Sequence, residues 1–283
     1  MAYISCNLKS QALMTSVNVK LYFPSDLPVS VGFETKGVIT LLHGMTNSGD
    51  DWVQMTAAAR YAADNGLVLI MPDCDNSFYQ NTAYGGAYET FITEEMPMLL
   101  NRIFKIPQER EMNYIAGLSM GGYGALYLGM GHPELYAGCA SFSGAVEMTI
   151  LADHVKDKPG MEALYQKLRD GIFGVNQKIP AKSDLRLLAR RIAHLPQEKQ
   201  PKILITNGYQ DVEPYLIAPQ NDSLHEVMKG LKLAHYKRIR WNGVHEWNFW
   251  DRSLVYAIDY FLQNGYAERK LEDWNSPVLV EGE

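Results

Sequence analysis

One serine stands between two glycines at a point where two apolar runs meet. Residues 117–121 read Gly-Leu-Ser-Met-Gly, so Ser119 is flanked by Gly117 and Gly121. This G-x-S-x-G pattern is typical of a nucleophile elbow, a sharp turn between a strand and a helix that exposes a serine hydroxyl. Glycines are needed because side chains at the flanking positions would collide with the strand and the helix. The pattern predicts that Ser119 is a catalytic nucleophile rather than part of an ordinary glycine-rich turn.

A serine hydroxyl is a weak nucleophile until a general base takes its proton, and histidine is the usual base. After a nucleophile elbow, the acid and then the histidine are expected, each in a loop that follows a later strand. Of the seven histidines, only His245 directly follows the strand predicted at residues 236–241. We therefore predict that His245 is the base, and the competing interpretation is a histidine in a surface loop.

The carboxylate that orients the histidine is expected in the loop after the next-to-last strand. Residues 202–206 are predicted to form that strand, and Asp211 follows it in the sequence Asn-Gly-Tyr-Gln-Asp. A carboxylate there can hold the imidazole in the tautomer that accepts the serine proton. Asn-Gly and Asp are also common in turns, and Glu213 and Asp222 are the nearest alternative acids. We predict that Asp211 is the acid.

Two backbone N–H groups are expected to stabilise the negatively charged oxygen of a tetrahedral intermediate. One belongs to the residue after the nucleophile, Met120, and the other to the loop after an earlier strand. In the sequence His-Gly-Met that follows residues 38–42, Met45 is the predicted second donor. One such donor is worth roughly 3 to 4 kcal/mol of the reaction barrier. The candidates for the wall of the substrate pocket are His43, Gly44, Trp52 and Trp247.

Alternating strands and helices are needed to bring these loops to one edge of a sheet. Strands are predicted at residues 3–8, 16–22, 38–42, 67–71, 112–116, 137–142, 202–206 and 236–241. Helices are predicted at residues 50–64, 86–104 with a bend near Pro97, 119–130, 224–233 and 247–262. This alternation predicts an α/β fold with a mostly parallel central sheet and helices on both faces.

Three stretches do not follow the alternation. Residues 144–198 carry charged helical segments and turn residues, and they predict a cap-like insertion over one end of the sheet. Residues 24–28 predict a turn, and residues 268–283 predict a solvated end or an oligomer contact. We expect a single domain over residues 1–283, because single α/β domains often exceed 200 residues.

Composition and charge exclude several classes of partner. The chain has 283 residues and a formal net charge of −6 with no basic run, so nucleic acid and anionic membranes are not expected partners. No apolar stretch approaches the roughly 18 residues of a membrane span, and the first residues show no signal-peptide pattern. Cys6, Cys74 and Cys139 are few and scattered, which favours buried thiols in a reducing cytoplasm. Neither a metal nor a cofactor is implied.

Four segments together resemble the esterase D group of α/β-hydrolases. They are residues 41–52 (LLHGMTNSGDDW), 117–126 (GLSMGGYGAL), 207–211 (NGYQD) and 243–251 (GVHEWNFWD). The group includes tributyrin-type esterases, S-formylglutathione hydrolases, and acetyl-xylan and feruloyl esterases. The resemblance spans almost the whole chain and implies an α/β-hydrolase fold. S-formylglutathione hydrolases usually carry Gly-His-Ser-Met-Gly-Gly-His at the elbow, whereas this chain has Gly-Leu-Ser-Met-Gly-Gly-Tyr.

The residues and the resemblance together predict a serine carboxylesterase that hydrolyses short-chain acyl esters through an acyl-serine. Acetyl or feruloyl esters of carbohydrates are candidate substrates, and a homo-oligomer is left open. The alternatives are a thioesterase similar to S-formylglutathione hydrolase and an acyltransferase that uses the same acyl-serine. A binding protein without catalysis is disfavoured because Ser119, Asp211 and His245 are all present.

Overall fold

A single sheet organises the structure, a computed structural model that describes residues 2–25, 35–271 and 278–282. Within these residues, nine strands are hydrogen-bonded in the order β1-β2-β4-β3-β5-β6-β7-β8-β9. The strands are β1 (Ala2–Ser10), β2 (Thr15–Phe23), β3 (Gly37–Leu42), β4 (Leu67–Pro72), β5 (Asn113–Leu118), β6 (Gly138–Phe142), β7 (Lys202–Gly208), β8 (Tyr236–Trp241) and β9 (Leu279–Glu281). The pairs β1–β2, β2–β4 and β8–β9 are antiparallel, and the other neighbours are parallel.

Helices follow most of the parallel strands. They are α1 (Gly49–Met55), α2 (Ala58–Asn65), α3 (Tyr88–Thr90), α4 (Met96–Phe104), α5 (Met120–Gly131), α6 (Met148–Val155), α7 (Pro159–Phe173), α8 (Leu185–Ala193), α9 (Ile217–Lys229), α10 (Trp247–Leu262) and α11 (Tyr266–Lys270). The predicted α/β class with a mostly parallel central sheet is therefore confirmed. Among the helices described, none is long and apolar enough to cross a membrane.

Successive residues of the central strands alternate between two hydrophobic cores, one on each face of the sheet. In β3, Val38 and Leu42 belong to one core, whereas Ile39 and Leu41 belong to the other. Helix α5 packs into the first core and α10 into the second. Strands that are buried on both faces appear in the sequence as continuous apolar runs, which explains why the predicted strand boundaries lie close to the observed ones.

Helix boundaries differ from the predictions at three places. The helix predicted over residues 50–64 is divided into α1 and α2, because Thr56 adopts an extended conformation between them. Helix α9 begins at Ile217 rather than near Leu224, and Pro219 in its first turn needs no intrahelical N–H partner. Near Pro97, where a bend is predicted, the helix type changes instead, because a π-helical turn, Phe91–Glu95, joins α3 to α4.

The interpretation of residues 268–283 as a solvated end or oligomer contact is corrected in part. Strand β9 pairs with β8, with Arg238 opposite Glu281, and extends the sheet by one strand. A three-residue strand is too short to show the alternation by which strands are predicted. Residues 268–270 of this stretch belong to α11. Residues 272–277 and 283 lie outside the described residues, as do residues 26–28 of the predicted turn.

The segment between β6 and β7 contains α6, α7 and α8. Helix α8 buries four residues (Leu185, Leu188, Ala189 and Ile192) in the first core, where it packs against α5 and α9. By contrast, α6 buries only Met148 and Val155, and α7 buries only Ile172. The division into one domain with an insertion at about residues 144–198 is kept as a proposal, with α6 and α7 as its cap-like part.

Candidate active site

Ser119 lies in a strained turn between β5 and α5. Its φ and ψ angles are 54° and −116°, a conformation that residues other than glycine rarely adopt. A Cβ atom added at Gly117 would lie 2.4 Å from the Gly121 carbonyl oxygen, and one added at Gly121 would lie 2.2 Å from the Leu42 carbonyl oxygen. Both positions therefore require glycine, and the turn presents the Ser119 side chain at the carboxyl end of β5.

Two hydrogen bonds connect the three residues predicted to act together. His245 Nε2 lies 2.9 Å from Ser119 Oγ, and His245 Nδ1 lies 3.0 Å from Asp211 Oδ2. An ionised carboxylate can only accept, so the proton of the neutral imidazole is on Nδ1 and Nε2 accepts from the serine hydroxyl. Asp211 is buried, whereas Ser119 and His245 are partly exposed. A general base that is to activate a serine needs this arrangement.

The predicted acid and the predicted base lie in loops that follow neighbouring parallel strands. Asp211 follows β7 and His245 follows β8, and the two loops are bonded to each other. The Gln210 N–H donates to the Gly243 carbonyl over 3.2 Å, and the Gly243 N–H donates to Gln210 Oε1 over 2.7 Å. These bonds hold the carboxylate and the imidazole at a constant separation.

The two alternative acids have other partners. Glu213 Oε2 lies 3.2 Å from His154 Nε2, and its side chain is 66% exposed. Asp222 accepts a hydrogen bond of 2.7 Å from the buried Arg238. Neither carboxylate is bonded to His245, so the geometry favours Asp211.

Aromatic rings flank the imidazole of His245. The centroid of Trp250 lies 4.9 Å from that of His245, with the two planes nearly perpendicular, and Tyr215 lies 5.7 Å away. These contacts limit the rotation of the imidazole away from Ser119. Trp250 is one of three aromatic residues in residues 243–251, close to the histidine in the sequence, whereas Tyr215 is 30 residues away from it along the chain.

The loop after β3 approaches the elbow closely. A Cβ atom at Gly44 would lie 2.6 Å from Leu118 Cδ1 and 3.5 Å from Ser119 Cβ, so a larger residue here would have to displace the Leu118 side chain. Met45 and Met120 both line the cavity that contains Ser119. This position is consistent with their predicted role as backbone N–H donors.

His43 does not line the cavity, and its prediction as a pocket residue is corrected. The side chain is fully buried. Its Nε2 accepts a hydrogen bond of 2.9 Å from the Cys74 N–H, so Nδ1 carries the proton that is donated to the Gly44 carbonyl over 2.7 Å. Burial lowers the pKa of His43, which keeps the ring neutral. The contacts indicate that His43 holds the loop that carries Met45.

The predictions for the other pocket residues separate into two groups. Gly44 lines the cavity, as predicted. Trp52 is fully buried in the second core and packs edge-on against Phe142 and Trp247. Trp247 packs on Trp52 and on Trp250 and does not reach the cavity either. Trp52 lies too deep to line the cavity, Trp247 is partly buried and packs against the second core, and Trp250 lines the cavity instead.

A cavity of about 310 Å³ opens onto Ser119. Besides Ser119 and His245, its wall includes Phe78, Met148, Leu151, Val155, Leu164 and Leu168. Most of these apolar side chains come from α6 and α7, two helices within the cap-like insertion predicted at residues 144–198. Within the described residues, no group of three or more His, Cys, Asp or Glu side chains is arranged to hold a metal ion.

A serine on a nucleophile elbow, followed in the chain by an acid and a histidine after later parallel strands, defines the α/β-hydrolase class. The family model named Esterase, described as "Putative esterase", matches residues 10–261, and the chain therefore belongs to this esterase family. The predicted membership of the esterase group is confirmed.

Several characterised proteins are similar to this chain over nearly its whole length. An acetyl esterase from Caldicellulosiruptor saccharolyticus is 27% identical over 270 residues, which cover 92% of this chain and 98% of that protein. The structure of FphF, a fluorophosphonate-binding serine hydrolase of Staphylococcus aureus, is 26% identical with a TM-score of 0.77. The S-formylglutathione hydrolase FrmB of the same organism is 25% identical with a TM-score of 0.72. Each of the two structures covers 92% of this chain, and this chain covers 98% of each.

These relatives and the family agree with the class that the fold defines. The protein is a serine carboxylesterase with an α/β-hydrolase fold. The prediction of an ester hydrolase is confirmed, while the roles of individual residues and the identity of the ester are the subject of the proposals below.

Proposed function

We propose that Ser119, His245 and Asp211 form the catalytic triad of this esterase. His245 takes the Ser119 proton as the hydroxyl oxygen attacks the ester carbonyl, and the N–H groups of Met45 and Met120 stabilise the oxyanion. The alcohol leaves with the proton from His245, and an acyl-serine is formed. Water, activated by the same imidazole, then attacks the acyl-serine and releases the acid. The continuous hydrogen bonding from Asp211 through His245 to Ser119 is the observation that carries this proposal.

We infer that the substrates are esters with short acyl groups. The cavity beside Ser119 has a mostly apolar wall and a volume of about 310 Å³, near the lower end of the range for small-molecule sites. A relative named acetyl esterase supports the same class of substrate. Carbohydrates carrying acetyl or feruloyl esters are the candidate substrates of this kind.

A panel of substrates tests the proposed function. We expect kcat/KM for 4-nitrophenyl acetate and butyrate to exceed that for the octanoate by about tenfold or more, in line with the similarity to an acetyl esterase and with the conformational entropy that a long flexible chain loses when it is ordered in the site. Methyl ferulate and acetylated xylan are compared under the same conditions. A preference for the octanoate over both short esters would contradict the assignment to short acyl groups.

Thioester hydrolysis is the second candidate function, and the similarity to the S-formylglutathione hydrolase FrmB favours its inclusion in the panel. The elbow argues against it, since Leu118 and Tyr123 stand where those enzymes usually carry histidines. The Tyr123 hydroxyl is buried and donates to the Ser183 carbonyl over 2.8 Å, so it supports the packing of the chain. A kcat/KM for S-formylglutathione above that for every oxygen ester would favour the thioesterase.

We propose that His43 positions the donor at Met45. The His43→Ala variant leaves the Cys74 N–H without its partner and removes one of the two donors to the Gly44 carbonyl, which loosens the loop. We expect kcat for 4-nitrophenyl acetate to decrease about 10- to 100-fold with little change in KM, because the oxyanion forms only after the substrate is bound. His43→Gln, which can still hydrogen-bond, is expected to recover part of kcat. An unchanged kcat in a folded His43→Ala variant would contradict this role.

We further propose that the protein works in a reducing compartment such as the cytoplasm. Its three cysteines are free, and Cys74 and Cys139 are buried. Burial raises the pKa of both of these thiols, so the reactive thiolate form is disfavoured. Retention of full activity in millimolar reductant supports this proposal, and loss of activity on reduction would contradict it.

A further inference from the structure

One charged side chain interrupts the apolar wall of the cavity beside Ser119. Of the described residues that line this cavity, Arg169 is the only lysine, arginine, aspartate or glutamate. Its position on α7 continues a stripe at helical spacing, consisting of Met161, Leu164, Tyr165 and Leu168. An apolar residue at this position would complete the apolar wall, so the presence of a charged arginine here requires a chemical explanation.

The guanidinium of Arg169 is only partly engaged. Its Nε and Nη2 atoms both donate to one oxygen of Asp170, over 3.1 and 2.6 Å, and the pair is neutral as a whole. Nη1 donates to no other described residue, and the Arg169 side chain is 30% exposed. Arg169 therefore keeps a donor available while its charge is already balanced, which suits a neutral oxygen acceptor better than an anion.

The wall around Arg169 is fixed by its neighbours. One turn earlier on α7, the Tyr165 hydroxyl donates to the Met148 carbonyl over 3.1 Å and ties α7 to the first residue of α6. Met148, Tyr165 and Arg169 also line a second, more polar cavity on the other side of this contact. Arg169 thus stands at the point where the apolar site for the substrate meets a polar region.

We propose that Arg169 makes the site selective for acyl groups that carry a neutral oxygen, such as a keto, ether or hydroxyl oxygen, at the depth of its Nη1. The proposal rests on the function proposed above and names a substrate class for the same site. The acyl group is the part concerned, because it stays bound through deacylation while the alcohol leaves. A purely alkyl chain that covers Nη1 displaces the water bound to Nη1 and offers no acceptor in its place. An acyl oxygen at the same depth accepts the Nη1 hydrogen bond and so replaces that water.

Matched pairs of 4-nitrophenyl esters test this proposal. Each unbranched ester from pentanoate to octanoate is compared with the ester of the same length that has a keto oxygen on the penultimate carbon. Each rate is divided by the rate of hydroxide-catalysed hydrolysis. In the wild-type protein we expect kcat/KM of the keto ester to exceed that of its alkyl partner by at least tenfold at one chain length. In Arg169→Met, which has a similar shape without donors, we expect this ratio to fall to one or below.

Two further variants and one further ester series complete the experiment. Arg169→Lys, which keeps a donor, is expected to retain an intermediate ratio, and Lys167→Met, an exposed position outside the cavity on the same helix, is expected to retain the full ratio. Equal ratios in the wild type and Arg169→Met at every chain length would overturn the proposal. A preference for half-esters with a terminal carboxylate, without one for keto esters, would also overturn it.

The outcome is separable from that of the proposed function. 4-Nitrophenyl acetate is too short to reach beyond the reacting carbonyl, so it measures the basal activity, and we expect the control Lys167→Met to hydrolyse it within about threefold of the wild-type rate. If the wild-type protein hydrolyses no ester through Ser119, the proposed function fails. If it hydrolyses acetate normally but shows no keto preference that depends on Arg169, only the inference about Arg169 fails.

Discussion

Replacement of Ser119 with alanine is expected to reduce kcat for 4-nitrophenyl acetate by roughly 10⁴- to 10⁶-fold, the range seen when a serine nucleophile is removed. Ser119 Oγ is the atom that lies 2.9 Å from His245 Nε2, and no acyl-serine can form without it. The fold should be retained, since the hydroxyl makes no other hydrogen bond to the described residues and the backbone turn is defined by the two glycines beside it.

Ser141→Ala is the matched control for this variant. Ser141 lies on β6, next to β5, and its buried hydroxyl has no hydrogen-bond partner in the described part of the chain. Its removal should therefore leave kcat within about threefold of the wild-type value. Hydrolysis by Ser119→Ala at a rate comparable to that of Ser141→Ala would show that Ser119 is not the nucleophile.

Replacement of Asp211 with asparagine is expected to reduce kcat by about 10⁴-fold, while KM changes little. The carboxylate accepts from His245 Nδ1 over 3.0 Å and so leaves Nε2 unprotonated toward Ser119. The asparagine amide can donate to Nδ1, which places the imidazole proton on Nε2 and prevents it from accepting the serine proton. Asp211 is buried, so thermal unfolding of the variant should be measured to show that the loss lies in catalysis.

Glu213→Gln serves as the control, because Glu213 is two residues away, largely exposed and paired with His154 rather than His245. Its kcat should remain close to that of the wild type. Nearly full activity in Asp211→Asn together with a large loss in Glu213→Gln would assign the acid to Glu213.

The sequence was sufficient to locate the scaffold and three central side chains. Strands β3, β5 and β7 are short, mainly apolar runs, and the residues that follow them and β8 meet at one edge because parallel strands end on the same side. The order Ser119, Asp211, His245 after β5, β7 and β8 identified the groups that lie within hydrogen-bonding distance of each other in the structure. Their catalytic roles are the predictions that the variants test.

The wall of the substrate site was not predictable in the same way. Helices α6 and α7 bury few residues in the two cores, and their contribution to the cavity depends on how they pack over Ser119, which their sequences alone do not specify. Trp52 and Trp250 are both tryptophans near the chemistry, and only tertiary packing puts the first in the core and the second beside His245. His43 is a similar case, because its role follows from a bond to the distant Cys74.

Covalent labelling with a fluorophosphonate tests the central claim most directly. This reagent phosphonylates a serine hydroxyl that an adjacent base activates. We predict one label for each chain, located on Ser119 by peptide mass spectrometry, with labelling at least 100-fold slower in His245→Asn. A label on another residue, or sustained ester hydrolysis by a protein that takes up no label, would contradict the claim that Ser119 is activated by His245.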